Sequence, residues 1–120
     1  MNNAGRMKAQ GKAQDFALRQ CRRLAEGTAP ISAPDAQALL RDFPGWALHE
    51  AAICKTFAFP DYHHTIAFVN AVAWIAQQQD HHPELKVFYD RCQVSFNTHS
   101  IDGISENDFI CAARVEGLLG

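Results

Sequence analysis

The sequence predicts an α+β fold, a four-stranded antiparallel sheet with helices packed on one face. Three observations predict it. The elements run helix, two strands, long helix, two strands, helix. The connection inside each strand pair is hairpin-short, which favours antiparallel pairing. The apolar spacing also changes from a helical period to a period of two and back along the chain. With 120 residues, 48% of them hydrophobic and 20% charged, the chain has the makeup of a single globular domain.

Gly27-Thr28-Ala29-Pro30 divides the chain into a basic leader over residues 1–28, partly helical or flexible, and a compact domain over residues 29–120. Ser32-Ala33-Pro34-Asp35 reads as a helix start, with Ser32 as N-cap and Pro34 in the first turn. Leu39, Leu40 and Phe43 give it a buried stripe, and Pro44-Gly45 ends it. Trp46 and Leu48, then Ile53, Phe57 and Phe59, follow strand spacing, with a turn near Glu50-Ala51. Asp61 can cap a helix running to about Gln79. On it Ile66, Val69, Ala73 and Ala76 share one face, with Phe68, Val72 and Ile75 beside them. Pro83 prevents its continuation and biases His82 toward extended geometry.

Next comes a hairpin. With Asp90-Arg91 as its two-residue turn, Leu85 faces Phe96, Val87 faces Val94 and Tyr89 faces Cys92, an apolar row. Lys86 facing Ser95 and Glu84 facing Asn97 give a polar row. The last helix begins at Ser105 with Asp108 as its N3 partner, and Phe109, Ala112, Ala113 and Leu118 form its apolar flank. The uncovered sheet face must be solvated or buried against another subunit, with Phe57, Phe59 and Phe88 as contributors.

The net charge of −2 hides an asymmetry. Residues 1–26 carry six basic side chains against Asp15 and Glu26, and the remainder is strongly acidic. An acidic domain is a poor nucleic-acid binder, because phosphate contacts need clustered Lys and Arg. The basic head reads as a solvated leader, with an RNA-binding arm or a transit peptide as alternatives. No apolar stretch is long enough for a membrane span, and no signal peptide is visible. Four scattered cysteines without a CxxC pair argue against a zinc cage and point to a reducing cytoplasm.

Six histidines are the richest chemical supply. His81 and His82 directly follow the long helix, and the hairpin register extended outward sets His99 opposite His82. Cross-strand Cβ atoms lie about 5 Å apart. Imidazoles would thus converge beside a helix C-terminus, which favours their protonated form. Histidine is the acid–base group suited to neutral pH. The competing readings are surface histidines at a helix end and a metal site. Metal is disfavoured, because adjacent histidines seldom face one ion and no HxxxH or HExxH spacing occurs. His63, His64 and His49 are expected at the surface or in the core without a chemical role.

Asp80-His81-His82-Pro83-Glu84-Leu85, then Tyr89, Thr98-His99-Ser100, Gly103-Ile104-Ser105 and Asp108, resemble the signature of the pterin-4a-carbinolamine dehydratases. Pro44-Gly45-Trp46, the Phe57-Ala58-Phe59 strand and the helix after Asp61 extend the resemblance from about Ile31 to Leu119. It implies four antiparallel strands with helices on one face, assembled as a homodimer or homotetramer. It implies dehydration of 4a-hydroxytetrahydropterin to quinonoid dihydropterin, a hydro-lyase step in tetrahydrobiopterin recycling that uses no metal or redox cofactor. By the same resemblance His81 is the principal acid–base histidine, His82 holds the pterin and assists, and His99 is a second acid–base group. Pro83 and Asp108 match substrate-site positions. Asp108 equally fits a plain capping role.

Where the family often carries an ionisable residue, this chain has Gln77, and Asp102 adds a charge near His99. The alternatives are a non-catalytic dimerisation or coactivator-type module, and a paralogue linked to molybdopterin metabolism.

Overall fold

The computed structural model describes residues 13–119. The expected leader therefore lies partly outside the described residues. Helix α1 covers residues 13–18, and α2 (Ala33–Leu40) follows after an irregular stretch. Then come β1 (Ala47–His49), β2 (Ala52–Ala58), α3 (Tyr62–Gln79), β3 (Glu84–Val87), β4 (Arg91–Phe96), a 3₁₀ turn (His99–Ile101) and α4 (Glu106–Gly117). The strands form one antiparallel sheet in the order β1-β2-β4-β3.

Local chemistry sets the helix boundaries. Ser32 accepts from the Asp35 N–H and Pro34 sits in the first turn of α2. Asp61 accepts from the His64 N–H at 2.9 Å at the start of α3, a cap worth about 1 kcal/mol. Ser105 and Asp108 form a reciprocal capping box on α4. At the other end of α3, Asp80 adopts a left-handed conformation (φ 52°), and the His81 N–H reaches back to the Ala76 carbonyl. That reversal breaks the helix immediately before the histidine pair.

The core lies between one sheet face and the helices. Ile53, Phe57, Cys92, Val94 and Phe96 from the sheet meet Phe68, Val72 and Ile75 of α3 and Phe109, Ile110 and Val115 of α4. Phe16 of α1 joins this core, its ring centroid 5.9 Å from Phe43 and 5.8 Å from Phe109. Cys54, Gln93 and Ser95 on the opposite sheet face are half-buried, while Thr56 and Lys86 are exposed.

Four expectations need correction. The hairpin pairs Leu85 with Val94, Lys86 with Gln93 and Val87 with Cys92. Its register is displaced by two residues, so the tight turn is Tyr89-Asp90, closed by a Phe88 N–H to Arg91 carbonyl bond of 2.9 Å. A shift of two keeps every side chain on its expected face, because strand side chains alternate with period two. On α3 the buried stripe is Thr65, Phe68, Val72, Ile75 and Ala76, whereas Ile66 is half-buried and Ala73 exposed. Phe57 points into the core and Phe59 packs against it, leaving Phe88 as the exposed one of the three. Leu118 lies just past α4 and is exposed.

Candidate active site

The left-handed turn at Asp80 directs His81, His82 and Pro83 from the end of α3 toward the start of β3. On the facing side, β4 runs out into Asn97-Thr98, and the 3₁₀ turn places His99. Thr98 and Gly103 close that turn as an isolated bridge, with N–H to carbonyl bonds of 2.8 and 3.3 Å. Gly103 is required there, because a Cβ on it would stand 2.7 Å from the Pro30 Cβ.

Between these segments lies a cavity of about 630 Å³ whose walls include His81, His82, Pro83 and His99, with Asp80, Glu84, Ser95 and Asn97. Its size lies within the ordinary range for small-molecule sites. The cavity brings together the three histidines and the proline expected from the sequence. The route for His99 differs from the expected one: the observed hairpin register, extended outward, sets Asn97 opposite His82, and His99 reaches the cavity through the 3₁₀ turn.

His81 is the most constrained of the three. Its ring lies nearly parallel to Phe96 (interplanar angle 11°), and its Nε2 is 2.6 Å from Asp108 Oδ1. The other Asp108 oxygen accepts from the Thr98 hydroxyl at 2.8 Å and from the Ser105 N–H at 2.9 Å. Asp108 is fully buried and does not line the cavity, so it cannot touch a ligand there directly. Of the two roles open from the sequence it fills the cap on α4, and in place of a substrate contact its other oxygen holds the His81 ring. Burial of the His81 ring opposes its charge, but the Asp108 hydrogen bond and charge, aided by Cys21 and Asp80, outweigh that and raise its pKa. The carboxylate also fixes the tautomer, keeping a proton on Nε2 and leaving Nδ1 without a protein partner among the described residues. His82 and His99 are exposed.

Gln77 is exposed on α3 and does not line the cavity. The acidic groups nearest His81 are instead Asp108 and Asp80. His64 bonds Asp61, and His63 and His49 are exposed. Among the described residues no three His, Cys, Asp or Glu side chains converge as metal ligands. Sequence reasoning missed Thr98 and Ser105 as supports of Asp108, although Ser105 was visible as a cap. It also missed a second cavity of about 780 Å³, which shares His81, Asp80 and Thr98 and is walled by residues 21–27.

An α+β sheet carrying a histidine cavity at the junction of a helix end and a strand end defines the class of protein. Residues 29–118 match the family model "Pterin 4 alpha carbinolamine dehydratase", and the chain belongs to that family. It is 48% identical over 106 residues to a protein of Nitrosomonas eutropha provisionally named as a pterin-4-alpha-carbinolamine dehydratase, covering 88% of this chain and 94% of that one. A protein of Xanthomonas campestris pv. campestris, provisionally named likewise, is 60% identical over 82 residues, covering 67% and 70% respectively. Among solved structures, a transcriptional coactivator/pterin dehydratase from Brucella melitensis superposes with a TM-score of 0.72 at 30% identity, covering 76% of this chain and 99% of that one. A pterin dehydratase-like protein identified as a RuBisCO assembly factor in the alpha-carboxysome superposes with a TM-score of 0.52 at 25% identity, covering 62% and 87%.

Proposed function

We propose that this protein dehydrates 4a-hydroxytetrahydropterins to quinonoid dihydropterins by histidine acid–base catalysis. The observation that carries the reading is one cavity walled by His81, His82 and His99, with His81 paired to the buried Asp108. Hydroxide is a poor leaving group from C4a unless it is protonated as it departs. The ring must also give up a nitrogen proton. An imidazolium whose pKa is raised supplies the first proton near neutral pH, and a neutral imidazole accepts the second.

In this reading His81 is the acid, His99 takes the ring proton from the opposite wall, and His82 with Pro83 holds the pterin. Asp108 is a positioning residue. It keeps the His81 ring oriented and charged without contacting substrate. The reaction needs no redox partner, because water leaves and no electrons are transferred.

The proposal includes a cytoplasmic setting, consistent with four free cysteines. It includes self-assembly through the uncovered sheet face and α3, where Trp74 is 62% exposed and Phe88 is exposed beneath the Arg91 guanidinium; the solution mass tests this. Its place is recycling of a tetrahydropterin cofactor after a hydroxylation.

The test follows ultraviolet absorbance of a synthetic 4a-hydroxytetrahydropterin with wild-type protein and with His81→Ala, His82→Ala and His99→Ala. General acid–base groups typically contribute 10²–10⁴-fold, so His81→Ala is expected to lose about that factor. A wild-type rate no faster than that of the three variants would overturn the proposal and favour a binding module.

A further inference from the structure

The second cavity has in its wall one thiol of a pair that the proposed dehydration does not use. Cys21 Sγ lies 3.5 Å from Cys111 Sγ, although the two are 90 residues apart in sequence. Cys21 is half-buried and lines the cavity, while Cys111 is fully buried on α4, one turn beyond Asp108. The backbone around Cys21 is held on both sides. The Cys21 N–H donates to Gln79 Oε1 at 2.7 Å. Asn107 accepts from the Arg22 N–H at 3.1 Å and donates to the Arg22 carbonyl at 2.8 Å. The thiols therefore meet because the chain is clamped there.

We infer that Cys21 and Cys111 are a reversible oxidation site, in which Cys21 is the reacting thiol and Cys111 the resolving one, and that a peroxide is the oxidant. Of these two thiols Cys21 is the one that opens onto a cavity, so a small oxidant reaches it before the buried Cys111. The hydrogen bond with Cys111 and the charges of His81 and Arg114 favour its thiolate against burial and Asp108. Cys111 is held protonated by the same bond and by burial.

The chemistry balances in two steps. The Cys21 thiolate attacks one oxygen of hydrogen peroxide, the O–O bond breaks, and the departing hydroxide takes a proton as water, leaving a sulfenic acid. Cys111 sulfur then attacks the Cys21 sulfur. The S–O bond breaks, and the expelled hydroxide leaves as a second water with the Cys111 proton. Peroxide is reduced and the two thiols are oxidised to one disulfide. The sulfurs must close from 3.5 Å to about 2.05 Å, a movement within reach of side-chain rotation and a small shift of the irregular 19–27 segment. The product ties the chain before the domain to α4 beside His81. This inference is independent of the dehydratase reading.

The experiment treats the reduced full-length protein with hydrogen peroxide, blocks remaining thiols with an alkylating agent and maps the peptides. A Cys21–Cys111 cross-linked peptide is expected as the main product, with Cys54 and Cys92 alkylated. The Tm should rise by several degrees on oxidation and return with dithiothreitol. In Cys111→Ser, Cys21 should accumulate as a sulfenic acid trapped by dimedone. If that variant does not fold, the wild-type peptide map decides by itself. Cys21 passing to sulfinic acid without the cross-link, Cys54 reacting before Cys21, or four unoxidised thiols would each overturn the inference.

Discussion

Asp108→Asn is the sharpest perturbation of the site, because it removes one charge and leaves the shape. The wild-type carboxylate accepts three hydrogen bonds, from His81 at 2.6 Å, Thr98 at 2.8 Å and the Ser105 N–H at 2.9 Å. An asparagine can keep its oxygen toward Thr98 and Ser105, preserving the cap. Its NH₂ then faces His81 Nε2, which must become an acceptor, so the neutral ring carries its proton on Nδ1 instead.

A hydrogen bond to a charged group contributes about 1.5–3 kcal/mol. One pKa unit or one decade of rate corresponds to about 1.4 kcal/mol. The variant should therefore lose about 10- to 100-fold in dehydration rate. Its His81 pKa should fall, because burial, which lowers it, is no longer outweighed by the hydrogen bond and negative charge of Asp108. The sign for stability follows from the same shift. His81 has a folded pKa above its unfolded value, so its pairing stabilises the fold fully below about pH 6.5. That contribution fades as pH rises through the folded pKa. Asp108→Asn should thus cost more stability at pH 6 than at pH 9. The assays are ultraviolet rate profiles against pH, NMR titration of the His81 ring, and urea unfolding at both pH values. A rate within twofold of wild type with an unmoved His81 titration would refute the pairing argument.

Three further outcomes follow from the packing. Phe16→Ala removes a buried ring from between Phe43 and Phe109 and should cost about 3–5 kcal/mol in urea unfolding; a loss under 1 kcal/mol would mean that α1 does not pack as described. Gly103→Ala forces a Cβ to within 2.7 Å of the Pro30 Cβ and should cost about 1–3 kcal/mol, with a weaker dehydration rate as the His99 turn shifts. Glu116→Gln weakens the contacts of Glu116 Oε2 with Lys55 at 2.6 Å and with the Trp46 indole at 2.8 Å. It should cost about 0.5–1.5 kcal/mol while leaving the dehydration rate unchanged, which thermal melts and the absorbance assay check together.

Much of the fold was legible because its signals are local. Ser32, Asp61 and Ser105 announce their helices within a few residues, and the structure places a cap at each. The hairpin faces were legible and its register was not. Period-two alternation distinguishes odd from even shifts only, and Tyr89-Asp90 carries no strong turn preference over Asp90-Arg91. His81, His82, Pro83 and His99 could be singled out as a group from their motif. The route of His99 into the cavity could not, since it depends on the Thr98–Gly103 bridge. The His81–Asp108 pair was equally hidden, being a contact across 27 residues between two helix termini. The seat of Phe16 against Phe43 and Phe109 had no signal either, because a six-residue helix shows too little period to reveal a buried face.

The most direct measurement of the central proposal is the rate at which a synthetic 4a-hydroxytetrahydropterin loses water with and without the protein near pH 7. Acceleration well above buffer is expected, saturating with substrate and falling as pH rises past the raised His81 pKa. A rate equal to buffer at every pH would contradict it.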